Sequence, residues 1–307
     1  FFKQKTAYEI KECDWSSDVC SSDLKNTMKT KILFTLAIMT GVIFGQYNPD
    51  NHVVTTSMYY MNYVEDGSWD EFFELAEEEF TKMNRADKYL VSLLVLGHRH
   101  SGSLNEVVQI AEWKSIADAD KSTVGLADMR KKAWPNEEKR KAFNEKYGRY
   151  WESKHTDLAV RELVTSRVKR NNKSTTENNV VTVVEWYLKP MSKVEGGTVE
   201  EREALFDEYH KKVIMRNNKI LSRREMRHYW TGSLGGGTTP YVIVTEFANI
   251  VDADAVGINN ETIQKSWPDE EKRKAFFEKR NKYIDREHNL GHRDIALHTN
   301  WVKLAKR

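Results

Sequence analysis

The sequence predicts an α+β protein made of two copies of one βαββαβ unit, and three observations carry that reading. A ten-residue stretch occurs twice. Strand-like and helix-like segments follow the same order around both occurrences. A polar stretch without apolar residues separates them.

The repeated stretch is Trp134-Pro135-Asn136-Glu137-Glu138-Lys139-Arg140-Lys141-Ala142-Phe143, which returns as Trp267-Pro268-Asp269-Glu270-Glu271-Lys272-Arg273-Lys274-Ala275-Phe276. The match extends outward. Ile110 to Asp120 parallels Val244 to Asp254, and His155-Thr156-Asp157-Leu158-Ala159 parallels His292-Arg293-Asp294-Ile295-Ala296. His98 pairs with His228, Gly102-Ser103-Leu104 with Gly232-Ser233-Leu234, and Val53-Val54-Thr55 with Val180-Val181-Thr182. The units therefore span residues 52–169 and 179–305, with residues 170–178 as a linker.

Each unit opens with a β-branched and aromatic run, Val53 to Tyr63 and Val180 to Leu188. An amphipathic helix follows: Phe72, Leu75, Ala76, Phe80 and Met83 fall near 3.6 spacing, as do Leu205, Tyr209 and Val213. A hairpin comes next, Leu90–His100 with Val107–Trp113, and Leu221–Trp230 with Tyr241–Phe247. Gly235-Gly236-Gly237 lies between strands, so it reads as a turn and not as a phosphate cradle. A second helical region then centres on the Trp-Pro-x-Glu-Glu signature, with proline in its first turn and acids near its start. Its charged Lys-Arg-Lys is a solvated helix start. A last strand, Leu158–Val168 or Ile295–Leu304, closes each unit. The order is that of the ferredoxin-like unit; if the outer strands were loops, a less regular α+β domain would remain.

Residues 1–24 are set aside. Lys3 to Ile10 and Asp14 to Leu24 resemble the translation of a short-read sequencing adapter. Residues 28–45 read as a secretory signal peptide: Met28, basic Lys29 and Lys31, an uncharged apolar run from Ile32 to Phe44, and a cut near Gly45–Gln46. The run is short for a membrane span of about 20 residues, so no stable span is expected after cleavage and the compartment is secreted or periplasmic; the alternative is an uncleaved N-terminal anchor. Both cysteines, Cys13 and Cys20, lie in the discarded stretch. Thiolate catalysis, iron–sulfur clusters and cysteine-ligated zinc are thereby excluded. After residue 45 the chain carries 42 basic and 41 acidic residues, so no net field draws it to nucleic acid.

The run Glu112-Trp113-Lys114-Ser115 with Ala117-Asp118-Ala119-Asp120, at the end of the third strand, resembles the dimeric α/β-barrel superfamily, which includes monooxygenase-like, isomerase-like and stress-responsive proteins. The resemblance implies that the two repeats pair their sheets into one barrel within a single chain, a monomeric pseudo-dimer. A fold so widely reused does not fix a function.

Strand alternation puts Glu112 on a face with Val108 and Ile110, and Glu246 with Val242 and Val244. A carboxylate on an apolar face is a candidate general base or ligand anchor; the alternative is a strand-end glutamate paired with a nearby Lys or Arg. His98 and His228 sit late in the neighbouring strands, where hairpin pairing is expected to bring each within hydrogen-bond reach of its Glu. Glu112, Glu246, His98 and His228 are thus the catalytic candidates. Weaker ligand-binding candidates are His155 and His292 with Asp157 and Asp294, where turn chemistry is the alternative, and the aromatics Tyr60, Tyr187, Trp113 and Phe247, where core packing is. Tyr60 and Tyr187 share a face with Met58 and Glu185, so the two halves are expected to differ chemically. His100 is matched by Trp230, and no metal site is predicted. No cofactor is required by the sequence; haem is one apolar ligand the barrel could take. Two readings follow: an exported barrel that binds a small apolar molecule, and a cofactor-independent enzyme, monooxygenase- or isomerase-like, that moves a proton with Glu and His.

Overall fold

The computed structural model describes residues 50–100, 102–171, 178–229, 238–258, 261–285 and 293–298, the last segment as backbone. The adapter-like and signal-like segments, the Gly235–Gly237 turn, Trp230, His292 and residues 299–305 lie outside the described residues.

The first half contains β1 (His52–Met61), α1 (Trp69–Ala86), β2 (Leu90–His98), β3 (Glu106–Trp113), α2 (Ile116–Ala133), α3 (Glu137–Gly148) and β4 (Trp151–Leu163). The second contains β5 (Asn179–Leu188), α4 (Val199–Tyr209), β6 (Ile220–His228), β7 (Thr239–Phe247), α5 (Ile250–Ile258), α6 (Glu261–Ser266), α7 (Glu270–Asn281) and β8 (Arg293–His298). The eight strands close into an antiparallel barrel in the order β1-β3-β2-β8-β5-β7-β6-β4. Each half supplies a four-stranded ferredoxin-like sheet, and the seams are β2 against β8 and β4 against β6.

The helices begin where side chains can cap them. Ser68, Ser115, Asn136, Thr198 and Asp269 each accept the backbone N–H three residues on, satisfying a donor the helix leaves unpaired. The duplicated signature is such a cap with a stacked lid. Trp134 stacks on Phe143 at 4.4 Å and Trp267 on Phe276 at 4.2 Å. Arg140 and Arg273 turn back to donate to the Trp134 and Trp267 carbonyls. Pro135 lies just before the cap Asn136, and not in the first helical turn as expected. A second duplicated lock carries no such sequence signature. Tyr150 and Tyr283 each reach the N-terminus of the first helix of their own half, accepting from Ser68 N and Thr198 N. They also bond Glu71 and Glu201. Gly67 and Gly197 make room: a Cβ would stand 2.4 Å from Tyr150 Oη and 3.0 Å from the Tyr283 ring.

Packing divides into an inner and an outer layer. Val54, Leu94, Leu96, Ile110, Leu163, Val181, Met226, Val242 and Val244 form one buried cluster drawn from both halves, the barrel's interior. Phe72, Leu75, Phe80, Leu93, Trp134 and Phe143 pack between helices and sheet on the first half, and Phe247, Trp267 and Phe276 on the second. Among the described residues, no helix is long and apolar enough to cross a membrane.

Two expectations need correction. β4 starts at Trp151, seven residues before the expected Leu158, so His155 and Asp157 lie inside a strand and not in a turn. Its outward residues are polar and exposed, which removes the apolar alternation that reveals a strand in sequence. The linker is also shorter than expected at its start: Arg170 is anchored inside the protein and Asn171 is buried.

The β4–β6 seam carries a buried ionic network. Glu162 and Arg227 face each other across the strands, with Arg227 Nε donating to Glu162 Oε2 at 2.6 Å. Just beyond β4, Arg167 is only 1% exposed. It donates to Asp207 at 2.6 Å, to Glu203, and to Tyr241 Oη at 3.1 Å; Tyr241 in turn donates to Glu225 at 2.5 Å. One side chain from the first half thus neutralises acids of the second. Replacing Arg167 with Ala should cost about 3 kcal/mol, the low end for breaking a buried pair, because Glu203 and Asp207 keep solvent access. The urea midpoint checks this; a change below about 1 kcal/mol would reduce the network to surface decoration.

Candidate functional site

The barrel interior is polar at one end, apolar in the middle and open at the other end. Its polar end is built on the two predicted glutamates, each 1% exposed. Glu112 accepts from His52 Nδ1 at 2.6 Å, from Ser92 Oγ at 2.6 Å, and from both terminal nitrogens of Arg170 at 2.8 and 2.6 Å. Glu246 accepts from Asn179 Nδ2 at 2.6 Å and Ser222 Oγ at 2.7 Å. Between them lies Arg224, 1% exposed, whose two terminal nitrogens reach Ser222 Oγ at 3.4 Å and Ser92 Oγ at 3.3 Å. The chain Glu112–Ser92–Arg224–Ser222–Glu246 therefore crosses the barrel from one half to the other. The serines occupy matching positions, opposite Glu112 and Glu246 in the ladders.

This end is a closed plug. Burial alone would push the Glu112 carboxyl up; Arg170, His52 and Ser92 outweigh it and hold the group well below the usual carboxylate range. A carboxylate so stabilised, with its lone pairs engaged, is a weak base. Burial lowers the Arg224 guanidinium against the opposing pull of Glu112 and Glu246.

The hairpin registers overturn the expected His–Glu pairs. Ser92 stands opposite Glu112 and Leu96 opposite Val108, so His98 falls six residues along β2 from the residue facing Glu112. The second half repeats this, with Ser222 opposite Glu246 and Met226 opposite Val242. Antiparallel pairing joins the end of one strand to the beginning of the next, so late residues of both strands cannot meet. The imidazole beside Glu112 is His52, whose counterpart in the second half is Asn179.

His98 lies instead at the open end. There a cavity of about 340 Å³ is lined by Thr56, Met58, Leu96, Gly97, His98, Glu106, Val108, Ile110, Arg161, Val183, Glu185, Met226, Val242 and Val244, with Gly102, Ser103 and Leu158. Apolar side chains of both halves make its walls. The rim is polar: His98 Nδ1 meets the Gly102 carbonyl at 3.0 Å, Glu106 accepts from Ser103 N at 2.8 Å, and Glu185 accepts from Tyr187 Oη at 2.7 Å. Because a carbonyl only accepts, Nδ1 of His98 carries a proton. His228 is exposed and stands opposite Arg161 across the β4–β6 seam.

Of the remaining candidates, Trp113, Phe247, Tyr60, His155 and Asp157 lie outside this cavity. Trp113 donates to Thr55 Oγ1 at 2.9 Å and packs with Phe72 and Leu93 on the helix side of the sheet; Phe247 lies in the corresponding layer of the second half. Tyr60 meets Thr156 Oγ1 at 3.2 Å at an exposed edge. His155 stacks on Tyr59, and Asp157 accepts from Ser57 Oγ at 2.8 Å. Asp157 pairs with Ser57, whereas Asp294 pairs with Val183, the counterpart of Thr56, so the two aspartates are not equivalent in register. Among the described residues, no group of three or more His, Cys, Asp or Glu side chains is placed to hold a metal ion.

Sequence reasoning missed His52, Asn179, Ser92, Ser222, Arg170, Arg224 and Arg161. The signal for several was present. Ser222, Arg224 and Met226 alternate along β6, and the repeat alignment equates Ser92 with Ser222 and His52 with Asn179.

No family model matches the chain, and no curated protein matches it. Solved structures of similar fold include a "putative monooxygenase" from Lactobacillus acidophilus NCFM, 12% identical, covering 81% of this chain and 93% of that one with a TM-score of 0.46. An anthrone oxidase-like protein is 11% identical, with 81% and 92% covered and a TM-score of 0.40. A mutant chlorite dismutase from Candidatus Nitrospira defluvii is 12% identical, with 84% and 94% covered and a TM-score of 0.38. Likeness at this level says nothing about chemistry.

The plug makes a pH-dependent prediction. The folded-state pKa of Glu112 is depressed, so its contribution to stability is complete above the unfolded value near 4.3. It is lost as the pH falls from there through the lowered folded value. Glu112→Gln should cost about 3 kcal/mol at pH 7 by unbalancing Arg170 and Arg224. That difference from the unsubstituted protein should shrink below about pH 4 in urea titrations. A difference that stays constant with pH would contradict the charge assignment.

Proposed function

We propose that this chain is an exported barrel that holds a small, largely apolar molecule in its open-ended cavity. One observation carries the reading: about 340 Å³ of space walled by Met58, Leu96, Val108, Ile110, Val183, Met226, Val242 and Val244, with a few polar groups, Thr56, His98, Glu106, Arg161 and Glu185, among them. Small-molecule sites have this character, apolar walls with a few placed polar groups, and volumes of about 300–1,000 Å³. Export rests on the basic and apolar segment of residues 28–45. The two halves act as one vessel, since each supplies walls.

The second reading, a cofactor-independent enzyme of monooxygenase or isomerase type, draws its support from His98. It lines the cavity with its Nδ1–H held by the Gly102 carbonyl, and an imidazole oriented in this way is the side chain such an enzyme would use to move a proton. Glu112 and Glu246 then serve as scaffold.

Native mass spectrometry of the protein from its producing cells should reveal a retained apolar molecule, with absorbance spectra separating haem from colourless ligands. Met226→Trp or Val244→Trp should fill the cavity and abolish retention while the fold persists by circular dichroism. Retention unchanged in both would sink the cavity reading. Consumption of the retained molecule by the unsubstituted protein but not by His98→Gln would favour the enzyme. Expression from Met28 in a bacterial host should yield a mature N-terminus near Gln46 by intact mass; an uncut segment would refute export by cleavage.

A further inference from the structure

Among the described residues, the cavity has one arginine, and its side chain has no protein partner. Arg161 of β4 is half-buried and lines the cavity, and among the described residues its guanidinium makes no hydrogen bond or ion pair. Several buried arginines are held in place, one of them, Arg280, by the faces of Trp186, Phe206 and Tyr209 and, among the described residues, not by a hydrogen bond. Arg167 is held by Asp207 and Glu203, Arg227 by Glu162, and Arg224 by two serines. Each of those has a structural task; among the described residues Arg161 has no such partner.

The charges around it are accounted for. Glu185, on the opposite half, is the carboxylate that acts on Arg161, but it stands beyond ion-pair distance and already accepts from Tyr187. Glu106 is turned to the Ser103 amide, and His98 to the Gly102 carbonyl. Burial lowers the Arg161 pKa and Glu185 opposes it. A guanidinium presents five donors in a planar fork that suits a carboxylate, and leaving it half-buried without a partner is costly.

We propose that Arg161 is the head-group anchor of the cavity and that its ligand is an anionic amphiphile, a carboxylate on an apolar body that lies against Met58, Met226 and Val244. This rests on the cavity reading and names the ligand class for it. Glu185 limits the affinity by competing for the same cation.

The test is calorimetric titration of the purified mature protein with octanoate and with 1-octanol, which share a chain and differ in charge. Octanoate should bind at least about ten-fold more tightly, the worth of a hydrogen bond to a charged group. Arg161→Gln should erase that preference and leave octanol binding unchanged. Glu185→Gln should strengthen octanoate several-fold. Equal binding of the two probes by the unsubstituted protein, or a preference that survives Arg161→Gln, overturns the anchor while the cavity reading stands. No binding of either probe, with Met226→Trp indifferent as well, overturns both.

Discussion

The protein depends on the pairing of sheet edges. A four-stranded ferredoxin-like sheet ends in two strands with unpaired N–H and C=O groups, an invitation to aggregation. Here β2 and β4 of the first half find β8 and β6 of the second, and the barrel has no edge left. Closure also buries one face of each sheet against the other, creating the interior cluster of Val54, Leu94, Val181 and Val244. The seams are short in hydrogen bonds, and the β4–β6 seam is reinforced by Arg227–Glu162 and by Arg167 reaching across to Asp207 and Glu203. Those charges do not need to add much net stability to matter. A buried ion left without its partner is costly, so any slipped register is penalised.

Closure leaves an interior that is filled differently along its length. At one end Glu112, Ser92, Arg224, Ser222 and Glu246 satisfy one another and shut out solvent. In the middle, apolar residues pack. At the other end the rim spreads around His98, Glu106, Arg161 and Glu185, and space remains. The polar end gives rigidity, and the functional reading belongs to the open end.

The fold was legible in the sequence because its evidence is redundant. Duplicated Trp134 and Trp267 motifs, helically spaced apolar residues from Phe72 and from Leu205, and strand-like runs at Val53 and Val180 all point to one order of elements. β4 was hidden in part, because its Glu152, Lys154 and Thr156 face water and break the apolar alternation. The site was less legible. Alternation placed Glu112 and Glu246 inside the barrel, yet their surroundings depend on register, which a hairpin sets through turn geometry and bulges such as that between Leu90 and Ser92. Arg224 and Arg161 were missed for a related reason: an arginine on a strand reads as solvent-facing unless the opposing sheet is known.

Arg224 carries a consequence for how such barrels can evolve. Its counterpart in the first half is Leu94, which packs in the interior cluster. Two identical subunits related by a twofold axis must place every interior residue twice. A single central guanidinium flanked by two carboxylates is beyond them: they would bring two arginines together or none. A chain that holds both halves can break that parity, and an odd number of charges then fits on the axis of a barrel with even-numbered strands.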